Sequence, residues 1–130
     1  MQPAHAHLAD AKVLIVEDEP LILMDCETIL RDIGVGHVVG VTTAREALLA
    51  LDQSPSGFDV AILDVSLQET SSLALADMLA ARGVATGFMS GYAIETLPEK
   101  FRDKPYISKP FVPAQLTAML AAMLAPPAKG

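Results

Sequence analysis

The 130-residue chain has no tryptophan, one cysteine and two tyrosines, and its 16 acids outnumber its 9 lysines and arginines. Each shortage excludes something. With Cys26 alone no internal disulfide can form, and its place inside a helical pattern suits a small core residue. A net charge of −7 argues against nucleic-acid binding, which draws its affinity from clustered Lys and Arg. The longest apolar stretch, Leu116 to Ala125, is interrupted by Thr117 and is too short to cross a bilayer. The start of the chain, Met1-Gln2-Pro3-Ala4-His5, has neither a basic region nor an apolar run, so no signal peptide is expected. What is present is 52% apolar residues, in a length that suits one well-filled domain. The expectation is a cytoplasmic domain over residues 12–125, with a flexible tail at 1–11 and a second tail at 126–130.

The chain is organised around Phe58-Asp59-Val60-Ala61-Ile62-Leu63-Asp64. Five of these seven residues are apolar, with no alternation after Asp59, and Pro55-Ser56-Gly57 punctuates the start. Such a run reads as a strand buried on both faces, the kind found in parallel sheets. It stops on a carboxylate. In open α/β sheets ligands sit just beyond the carboxyl ends of strands, and Asp64 stands at such an end.

The rest alternates strand and helix. Lys12 to Val16 is a β-rich apolar run that ends in Glu17-Asp18-Glu19. Pro20 fits the first turn of a helix, carried by Ile22, Cys26, Ile29, Leu30 and Ile33 and stopped at Gly34. His37 to Val41 reads as a strand. Thr43-Ala44-Arg45-Glu46 has the form of a capping box, opening a helix with Leu48 and Leu51 inward. Leu73 to Arg82 is a helix stopped by Gly83. Val84 to Met89 is a strand ending in Ser90-Gly91-Tyr92, and Glu95 to Arg102 a weak short helix. Pro105 to Ser108 is the fifth strand, before Lys109-Pro110-Phe111, and Pro113 to Leu124 the last helix. Five strands alternating with five helices imply a doubly wound parallel sheet with helices on both faces.

In that architecture Glu17, Asp18, Asp64, Ser90 and Lys109 converge on one crevice. Three carboxylates and one ammonium sum to −2. Two carboxylates about 4 Å apart repel by roughly 4 kcal/mol at an effective dielectric of 20. A hard divalent cation with oxygen ligands removes that repulsion, and Mg²⁺ fits best. The chemistry that wants this set is phosphoryl transfer to an Asp nucleophile, with a metal, an ammonium and a hydroxyl or N–H on the phosphoryl oxygens.

At these residues the sequence resembles the receiver domain of two-component response regulators, with its flavodoxin-like (βα)5 fold and strand order 2-1-3-4-5. Val13-Leu14-Ile15-Val16-Glu17-Asp18-Glu19 is similar to the receiver's acidic first strand end. Asp64 falls where the family carries its phospho-accepting Asp, Ser90 where it carries Thr or Ser, and Lys109-Pro110-Phe111 on its Lys-Pro-Phe motif. The resemblance implies that Asp18 ligates Mg²⁺ directly, that Glu17 helps through water or from further away, and that the Ser66 carbonyl is a ligand. It implies phosphoryl binding by Ser90, Gly91 and Lys109, and a switch of Ser90, Tyr92 and Tyr106 on the face of the fourth helix and fifth strand. The Lys109–Pro110 peptide is expected to be cis, which an X-Pro bond makes inexpensive.

Phe88-Met89-Ser90-Gly91-Tyr92 resembles the Phe-Ala-Thr-Gly-Tyr motif of the FATGUY class of receivers, with Met89 and Ser90 as departures. The implied partners are a sensor histidine kinase or histidine phosphotransferase and a downstream protein, with the domain a monomer or weak dimer. No catalytic turnover beyond self-phosphotransfer and autodephosphorylation is expected. An aspartyl-phosphate phosphatase would usually carry a second Asp two residues after the nucleophile, where Ser66 stands. A phosphate-independent pseudo-receiver would have no use for the intact set Asp18, Asp64, Ser90 and Lys109. His5 and His7, in the tail, lack a third ligand for a metal.

Overall fold

A computed structural model of the chain describes residues 8–54, 57–65, 70–91, 95, 99 and 102–124. Five strands alternate with helices: β1 (Lys12–Val16), α1 (Pro20–Asp32), β2 (His37–Val41), α2 (Ala44–Asp52), β3 (Val60–Asp64), α3 (Thr70–Ala81), β4 (Ala85–Ser90), β5 (Tyr106–Ser108) and α4 (Pro113–Leu124). They form one all-parallel sheet in the order β2-β1-β3-β4-β5. This is the flavodoxin-like doubly wound arrangement, and the order reverses between β1 and β3.

The unbroken apolar runs follow from two-sided burial. In β1, Leu14 and Val16 face one way with Ala61 and Leu63 of β3, and α2 and α3 cover them through Ala47, Leu51, Leu75 and Leu79. Val13 and Ile15 face the other way with Val60 and Ile62, covered by α1 and α4 through Leu23, Cys26, Leu30, Leu116 and Leu120. Neither face of the two central strands is left for a polar residue, so neither strand alternates.

Two helices stop where glycine permits. After α1, Gly34 takes φ 107°, its N–H donates to the Arg31 carbonyl, and the Val35 N–H donates to Leu30. After α3, Gly83 at φ 80° and Val84 repeat the pattern on Ala80 and Leu79. Both are Schellman stops, which need a left-handed residue just past the helix. At the start of α2 the expected capping box is half as read. Glu46 N–H donates to the Thr43 hydroxyl, but the Glu46 carboxylate returns to the Thr42 N–H and hydroxyl, at 2.8 and 2.9 Å.

Three boundaries are corrected. The N-terminal tail does not extend to residue 11. Residues 8–10 are helical, Leu8 packs against the core on the α1/α4 face, and its carbonyl accepts from Ala11 and Gly36 N–H groups at 3.1 and 2.9 Å. Apolar contact at one leucine and two backbone bonds fix a segment whose local sequence is featureless. α3 begins at Thr70 rather than Leu73, because a first helical turn needs no apolar residue to form. Ser90 closes β4 rather than following it, paired with Ser108. The expected short helix over 95–102 lies largely outside the described residues, as do Ser66, Tyr92 and the C-terminal tail.

Candidate functional site

The site grows from the strand ends. Parallel pairing continues one residue past β1, where Glu17 N–H donates to the Val41 carbonyl at 3.0 Å. That bond turns the Glu17 side chain into the protein, where it is fully buried, while Asp18 faces solvent. On the neighbouring strand Asp64 ends β3, and the ladder runs on through Val65 N–H to Met89 at 2.8 Å. Lys109 is held by its own backbone, its N–H donating to the Ser90 carbonyl at 2.7 Å, before a cis peptide to Pro110.

From there the Lys109 ammonium reaches two carboxylates at once, Glu17 Oε1 at 2.6 Å and Asp64 Oδ1 at 2.7 Å. Glu17, Asp18 and Asp64 each offer an oxygen, all within 4.8 Å of one another. The second Glu17 oxygen accepts from the Glu19 N–H at 3.0 Å. Oε1 receives no hydrogen bond in good geometry among the described residues and rests on the ion pair with Lys109.

Burial sets the electrostatics. It pushes the Glu17 carboxyl up to about 7, against the opposing pull of Lys109 and the Glu19 N–H and with a further push from Asp64. Asp64 is also raised, by burial first and then by Asp18, with Lys109 opposing. Burial works to lower Lys109, but its bonds to Asp64 and Glu17 outweigh it and leave the ammonium more firmly protonated than usual. Among the described residues the crevice gathers three carboxylates and one ammonium. Carboxylate oxygens at this spacing suit Mg²⁺, a small cation that takes hard oxygen ligands at ~2.1 Å and keeps several waters.

The structure brings Glu17, Asp18, Asp64 and Lys109 together, with Ser90 buried at the adjoining end of β4. The Glu17 carboxylate belongs to the cluster and makes the shorter contact to Lys109. The strand-end position placed Glu17 at the crevice; its complete burial is what a glutamate at a strand end does not announce. Among the described residues, a Cβ on Gly91 would meet nothing within 4 Å. Tyr106 is half-buried, paired with Phe88 and packed on the α2/α3 side. The Ser66 carbonyl and Tyr92 lie outside the described residues. Sequence reasoning missed the backbone groups that aim Glu17, at Val41 and Glu19, which side-chain motifs do not reveal.

Residues 13–121 match the response regulator receiver domain. The chain belongs to that family. Receiver domains act as signalling switches in two-component systems, typically bind Mg²⁺ at an acidic pocket, and interact with kinases or phosphotransferases and with effectors. Among its relatives is the phyllosphere-induced regulator PhyR of Methylorubrum extorquens, 34% identical over 122 residues, which cover 87% of this chain and 43% of PhyR. The chain thus spans under half the length of that relative. Among solved structures it resembles the BeF3-activated conformation of SdrG from Pseudomonas melonis Fr1, with 37% identity and a TM-score of 0.77 over 91% of this chain and 98% of that one. SdrG from Sphingomonas melonis Fr1 matches at 37% identity and TM-score 0.73, over 88% and 97%. Among the described residues of the receiver, no helix is long and apolar enough to cross a membrane.

Proposed function

We propose that this receiver accepts a phosphoryl group on Asp64 from the phospho-histidine of a sensor kinase or a histidine phosphotransferase in the cytoplasm. The observation that carries the reading is Lys109 bridging Glu17 and Asp64 beside a third carboxylate, Asp18. Asp18 and Asp64, with Glu17 close by and the Ser66 carbonyl by resemblance, are the residues that would hold Mg²⁺. When bound, the metal neutralises charge on the phosphoryl oxygens.

The chain's own residues do the rest. An Asp64 oxygen attacks phosphorus, and the donor imidazole leaves with the electron pair of its N–P bond. Lys109 follows the charge, turning from the Asp64 carboxylate toward a phosphoryl oxygen while Glu17 keeps it anchored. The hydroxyl of Ser90, a buried residue at the end of β4, donates to another oxygen, and the Gly91 N–H, which no side chain shields, to a third. Phosphoryl adds close to two negative charges, and Ser90 and Tyr106 carry the change to the face of β5 and the short helix expected over 95–102, which a downstream protein reads. That SdrG has been solved in a BeF3-activated conformation supports the reading.

The test is intact mass after incubation with acetyl phosphate and Mg²⁺. A gain of about 80 Da, the mass of one phosphoryl group, is expected in the native chain and should be lost in Asp64→Ala and in EDTA. Modification that survives Asp64→Ala would overturn the assignment. Catalytic release of phosphate from many donor molecules per chain would favour a phosphatase instead.

A further inference from the structure

Gly87 lies within β4, and the place where its side chain would stand is taken by sulfur from α4. A Cβ there would lie 2.9 Å from the Met123 thioether, 3.1 Å from its methyl and 3.3 Å from the Met119 thioether. The two methionines are one turn apart on one face of α4. Met89, two residues along β4, shares their cluster. The three differ in access: Met89 and Met119 are 0% and 6% exposed, whereas Met123 is half-buried. The thioether nearest the strand therefore belongs to the one of the three that solvent reaches. Oxidation changes what this seat can hold. A thioether is a soft apolar filler, but a sulfoxide carries a strongly polar oxygen. The backbone groups of Gly87 are taken up in the ladder with Ile62 of β3, and Met119 beside it has no donor to offer. An acceptor buried without a donor is costly, so an oxidised side chain swings to water and leaves the seat over Gly87 empty.

We infer that Met123 is a site of reversible oxidation by hydroperoxides, and that its sulfoxide releases the end of α4 from β4. With hydrogen peroxide, a sulfur lone pair attacks one peroxide oxygen and the O–O bond breaks. The hydroxide left behind takes the proton of the transferred oxygen and departs as water. Sulfur is oxidised by two electrons and the peroxide is reduced by two. The return uses a dithiol reductant: two thiols become a disulfide, and the sulfoxide oxygen leaves as water.

The experiment treats the full chain with hydrogen peroxide and follows oxygen addition by peptide mass mapping. The parent carries Met24→Leu and Met78→Leu, which remove the two exposed thioethers. Met123 should gain one oxygen, about 16 Da, at least about tenfold faster than Met89 and Met119, which react only when the fold opens. The thermal midpoint should then fall by about 5 °C, and amide exchange should quicken over 119–124 and 86–88. Methionine sulfoxide reductases of both stereospecificities, with dithiothreitol, should restore both. Adding Met123→Leu, a change of similar volume, should hold the midpoint against peroxide. Four results would each overturn the inference: Met123 reacting no faster than Met89 and Met119, a sulfoxide that leaves exchange and midpoint unchanged, an equal fall in the Met123→Leu chain, or a fall that the reductases do not reverse. Should Met123→Leu fail to fold, exchange in the parent chain before and after oxidation decides the matter.

Discussion

Glu17→Gln isolates the cost of burying a charge for function. In the folded domain without metal the Glu17 carboxyl is pushed up to about 7 from an ordinary 4.5. A folded value above the unfolded one means that stability is fully present below 4.5 and is lost as pH rises through 7. Each unit corresponds to ~1.4 kcal/mol, so this side chain lowers the stability of the metal-free domain by roughly 3 kcal/mol at pH 8 and by under about 1 kcal/mol at pH 5. Gln removes the titration but brings its own fault. Both Glu17 oxygens face donors, Lys109 and the Glu19 N–H, and an amide NH₂ must point at one of them, costing roughly 1–2 kcal/mol at any pH. The prediction is therefore a difference of differences. In urea unfolding with EDTA, the stability of Glu17→Gln relative to the native chain should rise by roughly 2–3 kcal/mol between pH 5 and pH 8. Mg²⁺ should shrink that rise, because it stabilises the native cluster at high pH and has less to bind in the variant. A difference independent of pH, or a relative stability of the variant that falls as pH rises, would refute the reasoning.

Three further outcomes follow from other parts of the molecule. Mg²⁺ at millimolar concentration should raise the midpoint of thermal unfolding in the native chain, and Asp18→Asn should abolish most of the rise while leaving the metal-free midpoint no lower, since Asp18 is exposed and its charge repels Asp64. Cys26 is fully buried and burial pushes its thiol up to about 12, so a thiol reagent should label it only at the rate of unfolding. Because its folded value is raised, the stability it contributes should fall as pH climbs through the alkaline range toward 12. At glycine, Gly36→Ala should cost more than Gly87→Ala: the new Cβ lies 1.9 Å from the Ala9 carbonyl oxygen in the first case and 2.9 Å from the flexible Met123 thioether in the second. Gly36→Ala should lose the bond to Leu8, about 1 kcal/mol or more, and release amide exchange protection over residues 8–11, whereas equal effects would mean that the N-terminal turn is not fixed by Gly36.

Much of this was legible because it is local. Two-sided burial writes itself as unbroken apolar runs at Val13–Val16 and Val60–Leu63, and a left-handed helix stop selects Gly34 and Gly83, so strands, helices and their order could be read directly. The acids and the lysine at the strand ends were legible for the same reason, as each closes a recognisable element. What the sequence by itself determined is the kit of parts and the end of the sheet on which they lie.

The tertiary structure decided how the parts meet. Glu17 and Asp18 are neighbours with equal formal charge, yet one is buried and the other solvated, because the Glu17 N–H pairs with Val41 on a strand more than twenty residues away. That single backbone bond determines which carboxylate loses water, and hence which is pushed toward neutrality and which pairs with Lys109. The docking of Leu8 under the loop at Gly36 and the seat of Met123 on Gly87 have the same origin: they are made by surfaces distant in sequence, and no periodicity or motif in either segment encodes the other.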